Sequence, residues 1–425
     1  MHFVVGWRCA VCGARVALTE PMPWRCPNST VRDRHHVLQA ISADVGPGDE
    51  PVASPNPLIR HDHRLAWAAA AAARGMTTAA RSALVHELDD AVRAVDGAGF
   101  VVTPFARSDV LSDELGFSAE GGVWVKDETG GVAGSQKARH LVTILLHLRA
   151  LELLGELPER PPLAIASCGN AALAAATLAR AAAWPIDVYV PTWMGDGFGD
   201  RLDELGATVH RCERRVVDPP GDPAMLRFRE AVATGSVPFT VQGPENALCL
   251  DGGRTIGWEI AEQVGAPGGP GTLDAIFVQV GGGAFAACLG TGVIELGQRP
   301  ALMAVQAEGC APLDRAWRAG ATAADDWATM MTPWVDPVSL ADGILDDETY
   351  DWIGVVDAMR ATGGDTVVAS EPNIVRAHAL AHRAGFDASP TGTAGLAGVL
   401  QLTESGTPTG PSDRRVGVVI SGVTR

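Results

Sequence analysis

The chain has 425 residues, 47% of them apolar and 20% charged, the balance of a globular protein of two or three domains. Thirty-three basic residues against 50 acidic ones leave a net charge of −17, which argues against a broad phosphate-backbone footprint, so no nucleic acid partner is expected. No apolar run reaches the roughly 18 residues that span a bilayer, and no membrane is expected.

Eight cysteines in a chain this long do not make a disulfide scaffold. With neither a basic n-region nor an apolar core at its start, the chain is expected in a reducing cytoplasm. Lys126 and Lys137 are its only lysines, and the other 31 of its 33 basic residues are arginine. An amine can lose its proton and attack a carbonyl, whereas a guanidinium cannot, so a lysine surviving in this background points to a job arginine cannot do.

Residues 1–40 read as a small separate unit. Cys9-Ala-Val-Cys12-Gly13 is one metal knuckle, and Cys26 opens a second whose other sulfur is missing. Cys9, Cys12 and Cys26 are candidate zinc ligands, with His35, His36 or Asp33 as the fourth; a degenerate, metal-free ribbon is the competing reading. Residues 42–57 read as a linker, and Leu65–Val95 as one alanine-rich helix. Val123–Asp127 reads as a strand, Gly130–Gly134 as a glycine-rich turn, and Ser135–Leu154 as a long helix. Asp127 and Glu128, flanking Lys126, read as a solvated charged turn.

From there strands and helices alternate. Strands are expected at Leu163–Ala166, Ile186–Val190, Thr208–His210, Phe239–Val241, Ala275–Val280, Ala301–Gln306 and Val416–Ile420. Helices are expected at Asn170–Ala183, Gly199–Leu205, Leu226–Ala233, Thr255–Val264, Ala284–Leu296, Pro372–Ala384 and Gly392–Leu402. That alternation predicts an α/β protein with doubly wound, mostly parallel sheets, whose ligands bind at the carboxyl ends of strands. An acidic, tryptophan-containing stretch near Asp325–Asp351 reads as either a lid or an interface.

Four strand-to-helix junctions carry chemistry. Gly134-Ser135-Gln136-Lys137-Ala138-Arg139 puts a lysine in the first turn of a helix, where the positive helix end and a dry cleft favour its free amine, a Schiff-base former. His140, three residues on, can turn to the same face. Ser167-Cys168-Gly169-Asn170-Ala171 offers free helix N–H groups for a carboxylate and an amide for an oxygen. Cys168 there reads as a packed thiol. Gly281-Gly282-Gly283-Ala284 can crowd backbone N–H groups round a small phosphate. Ser421-Gly422 puts a hydroxyl at the end of the last strand.

In that order the four motifs resemble the fold type II pyridoxal-phosphate enzymes, the group of threonine synthase, the threonine and serine dehydratases and tryptophan synthase β. GSQKAR is similar to the dehydratase pattern GSFKxR, and VQVGGGA at 278–284 to the phosphate loop. Asp251-Gly-Gly-Arg254-Thr-Ile with Glu259, and VQAEG at 305–309, resemble threonine synthase. The cysteine ribbon also has relatives at the start of some threonine synthases. Gln136 for phenylalanine, Ala138 for aspartate and His140 for glycine are departures that bear on the substrate.

The resemblance implies two doubly wound open-sheet α/β domains with the active site between them, plus the N-terminal ribbon. The large domain is expected at 41–158 and 241–425, and the small nested one at 159–240. Lys137 is the implied Schiff-base and catalytic residue. Gly281, Gly282, Gly283 and Ala284 are implied for the cofactor phosphate, Asn170 for the ring oxygen and Ser421 for the pyridine nitrogen. Ser167, Cys168, Gly169, Asn170 and Ala171 are implied for the substrate carboxylate. The implied activity is a lyase that eliminates the β-substituent of an amino acid through an aminoacrylate, as a serine or threonine ammonia-lyase does. A threonine synthase-like or β-replacement enzyme is the alternative, and a non-catalytic ligand-binding protein is the alternative of another class. The small-molecule partner is an amino acid, and the family implies a homodimer.

Overall fold

The computed structural model describes residues 2–30, 33–44, 53–219, 221–321, 330–404 and 413–424. The N-terminal unit is a three-stranded antiparallel sheet in which β1 (His2–Cys9) lies between β2 (Arg15–Val16) and β3 (Leu38–Asp44). β3 takes in the first residues expected to be linker. Residues 45–52 of that linker lie outside the described residues.

After α1 (Pro57–Arg60), the alanine-rich stretch forms two helices rather than one, α2 (Ala66–Ala73) and α3 (Thr78–Asp96). Gly75 at φ +91° ends the first in a left-handed turn, and the Thr77 side chain caps the second by accepting from Ala80 N–H. Then follow β4 (Phe105–Ser108), α4 (Asp109–Glu114), β5 (Gly122–Asp127) and α5 (Lys137–Leu153).

Four strands form a wholly parallel sheet in the order β8 (Thr208–Cys212), β7 (Ile186–Pro191), β6 (Leu163–Ala166), β9 (Val237–Pro238). Its helices are α6 (Asn170–Ala181), α7 (Asp196–Glu204) and α8 (Pro223–Ala233). Its core is shared with α3 and α5: Leu84, Leu88, Leu141 and Leu145 join Ile165, Leu173 and Val188 in one buried cluster. Each such fully buried leucine contributes roughly 1.5–3 kcal/mol.

The remaining elements are α9 (Leu248–Gly265), β10 (Ala275–Gln279), α10 (Ala284–Glu295), β11 (Ala301–Ala307), α11 (Pro312–Arg318), α12 (Trp352–Thr362), β12 (Asp365–Ala369), α13 (Glu371–Arg383), α14 (Pro390–Glu404) and β13 (Arg415–Ile420). They complete a six-stranded sheet in the order β12-β11-β10-β13-β5-β4. It is parallel except at its edge, where β4 runs antiparallel to β5. Its side chains alternate between two cores. Trp124, Ile276, Val278, Leu302 and Val419 meet α9, α10 and α12, while Val125, Phe277, Val305, Val418 and Ile420 meet α13 and α14. That period-2 split, buried on both faces, is why these strands read as nearly continuous apolar runs. No helix among the described residues is long and apolar enough to cross a membrane.

One feature of this topology makes the site. β10, β13 and β5 are adjacent and parallel, with Phe277 opposite Val418 and Val418 opposite Val125. Their carboxyl ends therefore lie side by side, although they are more than 100 residues apart in sequence.

Candidate active site

The three strand ends deliver the glycine loop, Ser421 and the lysine loop to one cavity. Its wall includes Lys137, Asn170, Gly281, Gly282, Gly283, Ala284 and Ser421. Ser421 Oγ accepts the Gln136 N–H at 3.0 Å, and Val423 N–H donates to Gly134 O at 3.0 Å, so the last strand pins the lysine loop. Ala133 (φ +53°) and Gly134 (φ +61°) both adopt the left-handed conformation, which costs an alanine about 1–2 kcal/mol and turns the chain sharply into α5.

Lys137 is the first residue of α5 and half-buried. Burial pushes its ammonium below the usual lysine range, against the pull of Asp346 and Cys249. His140 lines the same cavity. It is held neutral, with its pKa pushed down to about 3 by burial and then by Lys137, and its Nδ1–H donates to Cys249 O at 2.8 Å.

Gly283 caps α10 at φ +91°, turning the free N–H groups of the first helical turn toward the loop. The segment 344–351 backs this loop closely. A Cβ at Gly281 would stand 2.4 Å from Asp346 Oδ2, and one at Gly283 would stand 2.8 Å from Thr349 Cγ2. Asp351 N–H donates to Gly282 O at 2.8 Å. Asn170 opens α6 from the other sheet, and its amide abuts Gly422, where a Cβ would lie 2.8 Å from Nδ2.

Of the five residues of the SxGN stretch, only Asn170 is in the cavity wall. Ser167, Cys168 and Gly169 are half-buried just before α6, and Ala171 is buried. Burial, then Asp222 and Asp342, push the Cys168 thiol up, so it is no activated nucleophile.

Asp346 is the residue sequence reasoning missed. It lines the cavity, and the Gly282 N–H bonds to it. Burial pushes its carboxyl up to about 6, against the pull of Lys137 and that N–H. The DDETYD run was a visible signal, but nothing local says which carboxylate turns inward. Of the expected lid or interface stretch, residues 325–329 lie outside the described residues, and residues 344–351 back the glycine loop.

The charged turn at the end of β5 is not solvated. Lys126 and Glu128 are fully buried. Lys126 Nζ donates to Glu259 Oε2 (2.6 Å), Thr103 O (2.8 Å) and Gln263 Oε1 (2.9 Å). Arg139, of the lysine motif, bonds Glu128 at 3.0 Å and Glu259 at 2.5 Å. Two cations and two carboxylates thus lock β5, α5 and α9 together behind the cavity. The DGGR stretch is also structural. Asp251 accepts from Ala66 N–H, Trp67 N–H and Arg254, and a Cβ at Gly252 would be 1.8 Å from Arg139 O. A second cavity of about 290 Å³ beside it holds no lysine, and its Arg254 is already paired with Asp251 and Glu295.

In the N-terminal sheet the ligand atoms of Cys9, Cys12, Cys26 and His36 all lie within 4.8 Å of one another. Of the three candidates for a fourth ligand, His36 faces the thiols, Asp33 stands behind it, and His35 turns away.

Pyridoxal phosphate suits the residues of the main cavity. They supply an amine in the cavity wall, a glycine loop that leads into a helix N-terminus, and a hydroxyl with its proton to give. The Gln136, Gln242 and Gln279 side-chain oxygens of the same wall are buried without a partner among the described residues. A lysine at a helix start, opposite a glycine loop between two α/β sheets, fits a cofactor that carries both a carbonyl and a phosphate.

The chain belongs to the pyridoxal-phosphate dependent enzyme family, which it matches over residues 98–422. It is 26% identical to a threonine synthase of Methanosarcina acetivorans over 311 residues, 72% of this chain and 70% of that one. It is 28% identical to a serine dehydratase-like protein of Mus musculus over 223 residues, 52% of this chain and 60% of the other. Its fold is that of fold type II. The processed form of threonine deaminase isoform 2 from Solanum lycopersicum superposes with a TM-score of 0.62 at 18% identity, covering 90% of each chain. Maize serine racemase gives 0.61 at 17%, covering 80% of this chain and 93% of its own.

Proposed function

We propose that the protein is a lyase that eliminates the β-substituent of an amino acid, releasing a keto acid and ammonia. The observation that carries this is the convergence of Lys137, Asn170, Gly281–Ala284 and Ser421 on one cavity. When bound, pyridoxal phosphate would supply the electron delocalisation. The chain supplies the rest. The Lys137 amine would hold the cofactor and is placed to move the Cα proton, which its lowered affinity for protons would favour. Gly281–Ala284 and the start of α10 would hold the phosphate, and Asn170 would orient the ring through its oxygen. The Ser421 oxygen already accepts from Gln136, so its proton is left to donate to the ring nitrogen. A neutral hydroxyl leaves that nitrogen unprotonated, which favours elimination over transamination. The N–H groups at the start of α6, with Ser167–Ala171, take the substrate carboxylate.

Replacement by a second nucleophile, as in a threonine synthase, is the second reading, favoured by the identity to the Methanosarcina protein. Against it, no arginine among the described residues lines the cavity to hold a substrate phosphate. The retained Lys137 argues against a non-catalytic binding protein. The division into a large domain (41–158 with 241–425) and a nested small one (159–240), a homodimer and a cytoplasmic location belong to the same proposal.

The visible absorption spectrum with borohydride reduction and peptide mapping tests the cofactor part. A yellow band fixed by reduction onto Lys137 is expected, and a protein left colourless by added pyridoxal phosphate sinks the enzyme reading. An amino-acid panel then separates the two chemistries. Keto acid from serine or threonine supports elimination, while phosphate from O-phosphohomoserine supports replacement.

A further inference from the structure

Two consecutive histidines connect the N-terminal sheet to the cavity. His36 Nδ1 lies 3.4 Å from Cys9 Sγ, and Cys12 Sγ lies 3.5 Å from Cys26 Sγ. A tetrahedral zinc site with ordinary Zn–S and Zn–N bonds has ligand–ligand edges of about 3.5–3.8 Å. A disulfide would need about 2.05 Å. His36 Nε2–H donates to Asp33 Oδ2 at 2.9 Å, which leaves Nδ1 as the lone-pair donor toward the thiols. Asn28 donates its backbone N–H to Cys26 Sγ and its side-chain N–H to Cys12 Sγ, both at 3.4 Å.

His35 faces the opposite way and is buried. Its Nε2–H donates to Glu348 Oε2 at 3.2 Å, and its Nδ1 accepts from Trp352 Nε1 at 3.0 Å. Glu348 and Trp352 bracket Asp351, whose backbone N–H donates to Gly282 O, and Thr349, whose Cγ2 stands against Gly283. A histidine pair thus has one ring at the thiols and the next on the segment that backs the glycine loop.

We propose that Cys9, Cys12, Cys26 and His36 bind one zinc ion, and that the site acts through His35 to hold residues 346–352 against the glycine loop. Only its last link, that the loop takes a cofactor phosphate, rests on the function proposed above. His35 is a positioning residue here.

The test combines metal analysis with hydrogen–deuterium exchange on the full chain produced with zinc. One zinc per chain is expected. Chelator stripping, or Cys12→Ser at the exposed thiol, should speed amide exchange at 346–352 by about tenfold, the change that a loss of about 1.4 kcal/mol in local opening free energy produces. Amides of α13 and α14, across the large sheet, should not change and so report an intact fold. His35→Gln should give the same acceleration with zinc retained, which a staple confined to the N-terminal sheet would not do. A chain without zinc overturns the metal site. Equal exchange at 346–352 in His35→Gln and wild type overturns the coupling, also where stripping or Cys12→Ser unfolds the chain. The readout needs no pyridoxal phosphate. A protein that binds none yet shows these differences fails only the cofactor reading.

Discussion

Gln136 and Ser421 are 285 positions apart, and the backbone N–H of the first donates to the hydroxyl of the second at 3.0 Å. The bond sets the residue before Lys137 against the end of the last strand. Both partners are buried. Ser421→Ala leaves the N–H without an acceptor, and an unsatisfied buried donor costs about 1–3 kcal/mol. We expect a lower urea midpoint and, since 1.4 kcal/mol is a factor of ten, about tenfold weaker pyridoxal phosphate binding. A variant equal to wild type in both would show that the hydroxyl is a bystander.

Asp346 sets a charge where a phosphate is proposed to sit. Asp346→Asn should tighten pyridoxal phosphate binding by about tenfold at pH 8, one pK unit of interaction. The advantage should shrink below about 6, where the folded wild-type carboxyl is itself protonated. The same substitution removes the group that pulls the Lys137 pKa upward, so Lys137 should titrate lower still. Binding titrations across pH check both; weaker binding by Asp346→Asn at pH 8 would mean the carboxylate supports the cofactor rather than opposing it.

Lys126→Met breaks the buried network behind the cavity. It leaves Glu259 and Glu128 with Arg139 as their one remaining cation among the described residues. Removing one member of a buried ion pair costs about 3–5 kcal/mol. Urea unfolding should show that loss, whereas a change below about 1 kcal/mol would place Lys126 among weak surface pairs.

His147 gives a pH signature. It is buried on α5, donates Nε2–H to Pro21 O at 2.7 Å, and burial pushes it down to about 4 despite that bond. The folded ring stays neutral while the unfolded one takes a proton below about 6.5. Stability therefore falls as pH drops from there to about 4 and is flat in this term below. Compared with His147→Gln, the wild type should lose about 3 kcal/mol more over that interval, given 1.36 kcal/mol per unit. Parallel stability curves would mean that the ring is protonated in the native state.

Gly283→Ala tests the loop. Its φ of +91° and the 2.8 Å approach to Thr349 leave no room for a methyl group. The left-handed conformation alone costs about 1–2 kcal/mol. A folded variant that has lost cofactor retention is expected, and full retention would remove the loop from the site.

The scarcity of lysine made both lysines worth attention, and the two proved different. Lys137 lines the cavity, while Lys126 fills a closed hole where one compact ammonium serves three acceptors. The difference was not legible locally, because Glu259 and Gln263, which bury Lys126, lie on a helix more than 130 residues away. The long alanine-rich helix was misread for a simpler reason: composition favoured helix throughout, and only Gly75 marked the break. Asp346 is one of six consecutive polar residues, 346–351.

What the sequence by itself determined is the set of junctions: a lysine, an SxGN turn, a glycine triplet and a terminal Ser-Gly, each where an apolar strand gives way to a helix or stops. Strand periodicity and turn chemistry are local, so they show in the chain. Only the tertiary structure decided which junctions are neighbours. β13 inserts between β5 and β10, and parallel register brings Ser421, the glycine loop and Lys137 to one level. The choice of His36 over His35 for the thiols, and of Asp346 over its neighbours for the cavity, was likewise made by packing, because burial and hydrogen-bond satisfaction depend on residues distant in sequence.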